Sequence, residues 1–533
     1  MPNPHQAVLT PPGALFSNTL PVGAPRRLNP QSTARYTSLM RVLYIDIDSL
    51  RPDHLGCYGY HRNTSPNIDA IAREGVRFNQ CYTSDAPCLP SRTALYSGRF
   101  GIQTGVVGHG GSAAQPKVEG RTRAWRDMFD QQGLASQLQK LGFHTAMISP
   151  FGQRHAAWWF YAGFNEMHNT GKGGSESAEE VQPVVDKWLA DNAGRDSWFL
   201  HVNYWDPHTI YRVPMEYGHP FENDPLPKWL DDDAIIEKHK KATGPHTALD
   251  LAMFDDRDLG HPRQPRRIED RKTLKQFIDG YDTAIRYVDD MVGRIVAALK
   301  KAGVYDDTAI IISADHGENQ GELAIYGEHA TADHITCRVP LIIKWPAGRS
   351  GATDDGLHYS LDLAPTLMDL LGGQKQPLWD GESYAASITR AAATGREDLV
   401  ISHGAHVCQR SVRWDRWLYM RTYHDGFHLF PEEMLFDVVA DPHEQHDLAS
   451  SRPDLCHEGA WRLARWHDAQ MQKIARIFPH DVTDPLWRVI AEDGPLHAQH
   501  GGPNSPLPAY LKRLEATGRA EGAAALRKKY AVP

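Results

Sequence analysis

Three short stretches carry residue types that do chemistry. The first is Cys88–Arg99, CLPSRTALYSGR. A proline near a helix start has φ already set and needs no backbone donor, so Pro90 marks the opening of a helix over Leu89–Ser97, ended by Gly98. Cys88 then stands at or just before the helix N-terminus, where free N–H groups and the dipole favour an anion. The second stretch is RVLYIDID, Arg41–Asp48, whose apolar run fits a buried parallel strand. Asp46 and Asp48 lie two apart, leave the same face, and sit at the carboxyl end, where open α/β sheets bind ligands. The third is Asp315-His316, which follows the apolar strand TAIIIS, Thr308–Ser313. Acids facing one another at buried strand ends repel unless a cation lies between them, and carboxylates are hard ligands suited to Ca²⁺ or Mg²⁺. A histidine beside them also admits Mn²⁺ or another ion that tolerates nitrogen. The plainer alternatives are a packed thiol at Cys88 and solvated acids at the strand ends.

The elements that must position these residues follow from periodicity and punctuation. Ser65-Pro66 reads as an N-cap and first-turn proline for a helix through Glu74, closed by Gly75. Leu134–Leu141 reads as a short amphipathic helix before a strand at His144–Ile148, and Trp198–Asn203 as another buried strand. Ile278, Tyr281, Ile285, Val288, Val292, Ile295 and Leu299 recur every three or four residues and define one long amphipathic helix. Asp362–Leu371 is a helix closed by Gly372-Gly373. Residues 212–270 are polar, rich in Pro, Asp and His, and read as an excursion over the functional face. Strand-like segments return at Trp417–Thr422 and Met434–Asp437. Beyond residue 480 the chain is polar and proline-spotted, with no recognisable pattern.

The chain has 533 residues, 41% of them hydrophobic, and a formal net charge of −9. That supports a large core and leaves no basic footprint for nucleic acid. The six cysteines are too scattered for a disulfide framework, and none forms a C-x-x-C pair. No apolar run is long enough to span a membrane. The N-terminal residues show no basic segment followed by an apolar one, so the expectation is a cytoplasmic protein, with a homo-oligomer as an open possibility.

The motif Cys88-x-Pro90-Ser91-Arg92 resembles that of the type I sulfatases of the alkaline phosphatase superfamily. Further matches are Asp48-Ser49-Leu50-Arg51-Pro52 followed by LGCYGY, then Pro66-Asn67-Ile68-Asp69, Gly75-Val76-Arg77-Phe78, Pro207-His208-Thr209, Asp315-His316-Gly317-Glu318 and the strand Arg338–Ile343. The resemblance covers roughly residues 40–450. It implies an α/β fold, with a mixed, mostly parallel central sheet flanked by helices and a small C-terminal α+β subdomain. The expected division is an arm at 1–38, a catalytic domain at 39–390, an antiparallel subdomain at 391–480 and an extension at 481–533. It implies a sulfuric ester hydrolase acting on sulfate monoesters, sulfated carbohydrates among them. Cys88 would be oxidised to formylglycine by a formylglycine-generating enzyme, and the hydrate of that aldehyde would be the nucleophile. Arg92 would orient it. One divalent ion, calcium first and Mn²⁺ or Mg²⁺ as alternatives, would be held by Asp48, Asp315, His316 and the modified Cys88. Asp46 is a candidate ligand, or else an acid behind the ligands. His208 carries over as a sulfate contact.

The chain also departs from the pattern. Relatives carry Lys-x-His where this chain has Pro150-Phe151-Gly152. Arg154 and His155 are the candidates to replace that pair. A family lysine about nine residues before Arg338 is here His329, with His334 as its rival. His109, in the glycine-rich loop 105–111, is a candidate pocket residue. Two other functions stay open: a phosphonate monoester or phosphodiester hydrolase on the same scaffold, and a non-catalytic binding homologue.

Overall fold

The computed structural model describes residues 40–118, 128–251, 254 and 260–532; the arm expected at 1–38 lies outside them. Eight strands form the central sheet: β1 (Arg41–Ile47), β2 (Val76–Tyr82), β3 (His144–Ile148), β4 (Glu166–His168), β5 (Trp198–Tyr204), β6 (Thr308–Ser313), β7 (Arg338–Lys344) and β8 (Ala352–Tyr359). Their order is β8-β2-β7-β6-β1-β5-β3-β4. All neighbours pair parallel except β7, which runs antiparallel to both β2 and β6. The sheet is therefore mixed and mostly parallel. β1 is buried along its whole length between β5 and β6, as its unbroken apolar run requires.

Two groups of helices flank the sheet. α1 (Pro66–Glu74), α3 (Ala178–Asn192) and α4 (Arg271–Lys301) pack together, while α2 (Cys88–Ser97) packs with Leu134–Lys140 and α5 (Leu363–Leu371). The stripe read along α4 is buried at every position from Ile278 to Leu299. α1 keeps its predicted limits, but Ser65 does not cap it. The Ser65 hydroxyl donates to Asp69, and the free N–H groups of Asn67 and Ile68 donate instead to the Asp289 carboxylate on α4. A long-range carboxylate has replaced the local cap.

A second, antiparallel sheet joins β9 (Asp398–His403), β10 (Cys408–Trp414), β11 (Trp417–His424) and β12 (Glu433–Asp437), with α6 (Pro453–Ile477) packed against it. Its far edge is the two-residue strand Asp85–Ala86, parallel to β9. The segment leading into α2 is thus anchored to both sheets. The last fifty residues are helical where no pattern was legible. Helices Leu507–Ala516 and Ala520–Tyr530 bury Tyr510, Leu511, Leu514 and Leu526 around Phe427. Arg519 and Arg513 bind Asp250 of the polar excursion at 2.6 and 3.1 Å. All six cysteines are free, and no helix of the described residues is long and apolar enough to cross a membrane.

Candidate active site

Cys88 is the first residue of α2, and all ten residues of that helix are buried. Gly98 closes the helix at φ +66°, where a side chain would be strained and would also meet the Trp379 ring. One turn in from Cys88, Arg92 reaches across to the ends of β1 and β6. Its Nε donates to Asp46 Oδ2 at 2.7 Å, and one terminal nitrogen donates to Asp48 Oδ2 at 3.0 Å and Asp315 Oδ2 at 2.6 Å. All four groups are fully buried. Three carboxylates around one guanidinium leave an excess of negative charge, and the acids respond unequally. Burial pushes Asp315 up against the pull of Arg92, and the neighbouring Asp48 adds to the rise. Burial acts on Asp48 in the same sense, but Arg92, His208 and His316 hold it below the usual carboxylate range. An added cation would relieve this imbalance.

The remaining donors suit such a cation. His316 Nδ1 lies 2.8 Å from the Gly317 carbonyl and donates to it, which leaves the Nε2 lone pair free. Nε2 faces Cys88 Sγ at 3.0 Å and Asp315 Oδ2 at 3.3 Å. One donor atom from each of Asp48, Cys88, Asp315 and His316 lies within 4.8 Å of the others. Asp46 lies outside that group. It accepts from Arg92 and stands 3.3 Å from His201 Nε2, while Tyr96 lies 2.7 Å from the other nitrogen of that ring. Ser49 makes the turn off β1 at φ +60°, unusual for a residue with a side chain. Its N–H contacts Asp315 Oδ1 at 3.3 Å, and Tyr281 fixes its carbonyl at 2.7 Å. The turn therefore ties the first strand end to the second.

Histidines crowd the other side of the centre. The His329 ring is 4.3 Å from His316, 5.3 Å from His208 and 6.2 Å from His109. His155 is 5.2 Å from His109 and 4.6 Å from Phe151, whose face covers Arg92 at 4.5 Å. Burial lowers His109, His155, His208 and His329. His155 falls to about 3, helped by Arg154 and Arg92, and His208 to about 4; His109 and His329 fall well below the usual range, where neighbouring rings add to the effect. Arg154 lies over the Trp205 ring at 4.9 Å and donates to the Gly173 carbonyl at 3.0 Å. It fits only because Gly174 has no side chain: a Cβ there would stand 2.7 Å from Arg154 Cδ. His334, by contrast, pairs with the Tyr82 hydroxyl at 2.9 Å beside Arg338 and Arg413.

Several groups at the site were not singled out from the sequence. Glu318 accepts from Tyr211 at 2.7 Å and from the Thr209 N–H at 3.0 Å, and burial raises it to about 7. Burial raises Glu328 to about 8. Arg212 donates to the His208 carbonyl at 3.2 Å. Glu318 sits inside the legible Asp-His-Gly-Glu run, so a signal existed; Arg212 opens the patternless excursion and Tyr211 immediately precedes it, and neither carries one.

Comparison with known proteins agrees with this geometry. The family model described as Sulfatase matches residues 41–373. An N-acetylglucosamine-6-O-sulfatase of Bacteroides thetaiotaomicron is 23% identical over 492 residues, covering 79% of this chain and 84% of the relative. Among solved structures, a 2-O GAG sulfatase superposes with TM-score 0.64 at 20% identity, over 88% of this chain and 99% of the other. The phosphonate monoester hydrolase of Agrobacterium radiobacter superposes with TM-score 0.63 at 20% identity, over 81% of this chain and 96% of the other. At that identity the superpositions speak for the alkaline-phosphatase-like fold alone, and the family match carries the rest. The chain belongs to the Sulfatase family and is an enzyme of the sulfuric ester hydrolase class.

Proposed function

We propose that this enzyme hydrolyses sulfate monoesters of carbohydrates, with Cys88 carried as formylglycine. The observation that carries the reading is Cys88 Sγ at the head of a buried helix, 3.0 Å from His316 Nε2 and grouped with Asp48 and Asp315. Burial, with Asp48 and Asp315, pushes the Cys88 thiol well up its scale, so an unmodified thiolate is a poor nucleophile here. Support for a carbohydrate substrate comes from the N-acetylglucosamine-6-O-sulfatase relative.

A divalent ion held by Asp48, Asp315, His316 and the oxidised Cys88 side chain would supply Lewis-acid polarisation of a sulfate oxygen. The oxidised side chain itself would supply an oxygen nucleophile in place of sulfur. The chain's own residues do the positioning. Arg92 holds Asp48 and Asp315 in register, and its second terminal nitrogen has no partner, so its cationic N–H groups remain for an anionic oxygen. His208 donates from Nδ1 to the Thr209 carbonyl, which leaves Nε2 for substrate. His155 Nε2 is buried without a partner. The neutral His155 ring has a nitrogen that can accept the proton released in turnover, the role taken by the absent Lys-x-His pair. Arg154 adds positive charge beside His155, and Arg212 beside His208. His329 lies tilted beside His316, whereas His334 has no contact with this cluster among the described residues, and His109 stands next to His155 and His329.

A second reading, phosphonate monoester hydrolysis, is favoured by Pro150-Phe151-Gly152 in place of Lys-x-His and by the Asp-Asp-His donor set. One experiment separates them. The Cys88 peptide is weighed by mass spectrometry, and one preparation is assayed on aryl sulfate, aryl phosphonate and 6-O-sulfated glucosamine. The proposal expects an aldehyde at position 88 and sulfate release from both sulfate esters. A preference for the phosphonate supports the second reading, and an unmodified thiol with no turnover refutes both.

A further inference from the structure

Apart from the acidic centre, the described residues bring together a second set of buried donor atoms. His109 comes from the glycine-rich loop 105–111, His406 from the loop between β9 and β10, and His497 from the turn Leu496–Ala498 in the C-terminal segment. The rings of His406 and His497 are stacked, with centroids 4.4 Å apart and planes 10° apart. His109 is 5.9 Å from His497 and 6.2 Å from His406. One nitrogen of each ring lies within 4.8 Å of the other two. His109 Nε2, His406 Nδ1 and His497 Nε2 are sealed from solvent and have no hydrogen-bond partner, and His406 is only 5% exposed. Burial lowers all three rings, so they are neutral and their lone pairs are available. A buried polar group left unsatisfied is costly. Three rings that each keep an unsatisfied nitrogen and bring one nitrogen apiece within 4.8 Å of the others mark a place built to be filled.

We propose that His109, His406 and His497 form a second metal site, for a nitrogen-preferring transition-metal dication such as Zn²⁺. The donor set contains no oxygen, which disfavours Ca²⁺ and Mg²⁺ and suits Zn²⁺, Co²⁺, Ni²⁺ or Cu²⁺. Zinc–nitrogen bonds of about 2.0–2.1 Å put tetrahedral ligands about 3.4 Å apart, so the rings need to close by no more than about 1.4 Å. Three protein ligands leave the fourth position open. The site is separate from the acidic centre: His329 stands between them, 5.6 Å from His406 and 4.3 Å from His316. Its ligands come from three distant parts of the chain, so the ion also fastens the C-terminal segment to the catalytic half.

His246, Glu328 and His406 form an overlapping group that shares His406, and the test must distinguish the two. Protein made without a histidine tag is stripped with a chelator, reloaded with Zn²⁺ or Co²⁺ in the presence of excess Ca²⁺, and its divalent ions are counted by elemental mass spectrometry. The expected result is two divalent ions per chain, and a cobalt form with the visible bands of a four-coordinate, nitrogen-rich site. His497→Gln and His406→Gln should each lose one ion and those bands, with cobalt affinity falling by more than the roughly 10–100-fold that loss of an outer-shell partner brings. His246→Gln should keep both. A wild-type chain that binds a single divalent ion overturns the proposal without reference to any variant. Retention of the second ion in His497→Gln, or its loss in His246→Gln, overturns the ligand assignment.

Discussion

Asp46→Asn separates two roles that a carboxylate at a strand end can play. Asp46 is fully buried, 2.7 Å from Arg92 Nε and 3.3 Å from His201 Nε2, and its Oδ1 has no partner. It stands outside the group formed by Asp48, Cys88, Asp315 and His316. An acid that acts only through Arg92 should behave as an outer-shell partner, for which metal affinity drops about 10–100-fold, equivalent to about 1.4–2.8 kcal/mol. Asparagine keeps the shape and can still accept from Arg92, so what is lost is the charged part of a hydrogen bond, itself worth about 1.5–3 kcal/mol. The two ranges overlap, as they should if the effect passes through the guanidinium. The assay is calorimetric titration of the chelator-stripped protein with Ca²⁺ and with Mn²⁺, alongside Asp48→Asn and Asp315→Asn, each of which should abolish binding at that centre. Loss of the ion in Asp46→Asn as complete as in Asp48→Asn would refute the reasoning, because Asp46 would then be a ligand. Unchanged affinity with unchanged turnover would refute it from the other side.

Cys88→Ala should keep the thermal unfolding of the parent and lose turnover entirely; residual wild-type activity would remove Cys88 from the chemistry. Arg410 binds Asp484 through two bonds of 2.7 and 2.8 Å with both side chains buried, so Arg410→Ala should cost about 3–5 kcal/mol in denaturant unfolding. Burial raises Asp484, but Arg410 and His467 hold it below the ordinary carboxylate range. The stability it contributes is therefore present above about pH 4 and lost as the pH falls toward its folded value, and Asp484→Asn should flatten that acid-side loss. His155→Ala should slow steady-state turnover more than the first release of alcohol, giving a burst. Arg154→Ala should weaken both steps without one, and equal slowing in the two variants would assign the proton transfer elsewhere.

The sheet was legible because its strands are buried on both faces and read as unbroken apolar runs: β1, β5 and β6 lie within a residue of their predicted ends. α2 was legible from Pro90 and Gly98. The residues that surround the centre were less so, for physical reasons. Tyr211 and Glu318 act through a bond that joins distant segments, which no local periodicity encodes, and Arg212 reaches the nearby His208 carbonyl from an irregular loop that has no periodicity either. His329 stands at the position of the family lysine with His334, five residues on, as its rival, and a short turn with Asp333 as its cap turns His334 toward Tyr82 while His329 lies beside His316. The last fifty residues gave no pattern because their helices are short and bury a few residues each against Phe427 and the excursion.

The exchange of fixed lysine charge for histidine has a consequence for anion binding. His155 and His208 are depressed by burial to about 3 and about 4, so in the free enzyme both are neutral at pH 7. The lysine that relatives carry where this chain has His329 would instead be charged before and after sulfate arrives. A sulfate dianion set among these rings favours their protonated forms, because an opposite charge within about 4–6 Å raises a histidine. The bound state therefore holds more protons than the free state, and linkage makes affinity rise as pH falls, by up to tenfold per pH unit for each proton taken up. The gain continues down to the free-enzyme values near 3 to 4, where the rings charge without help. Inhibition by inorganic sulfate should accordingly be tighter at pH 6 than at pH 8, and calorimetry in buffers of different ionisation enthalpy should record proton uptake. His155→Ala and His208→Ala should each reduce that uptake, while Arg154→Ala weakens inhibition equally at both pH values. A sulfate inhibition constant that stays flat from about pH 5.5 to 8.5 would mean that the permanent charges of Arg92, Arg154 and Arg212 carry the anion without help from histidine.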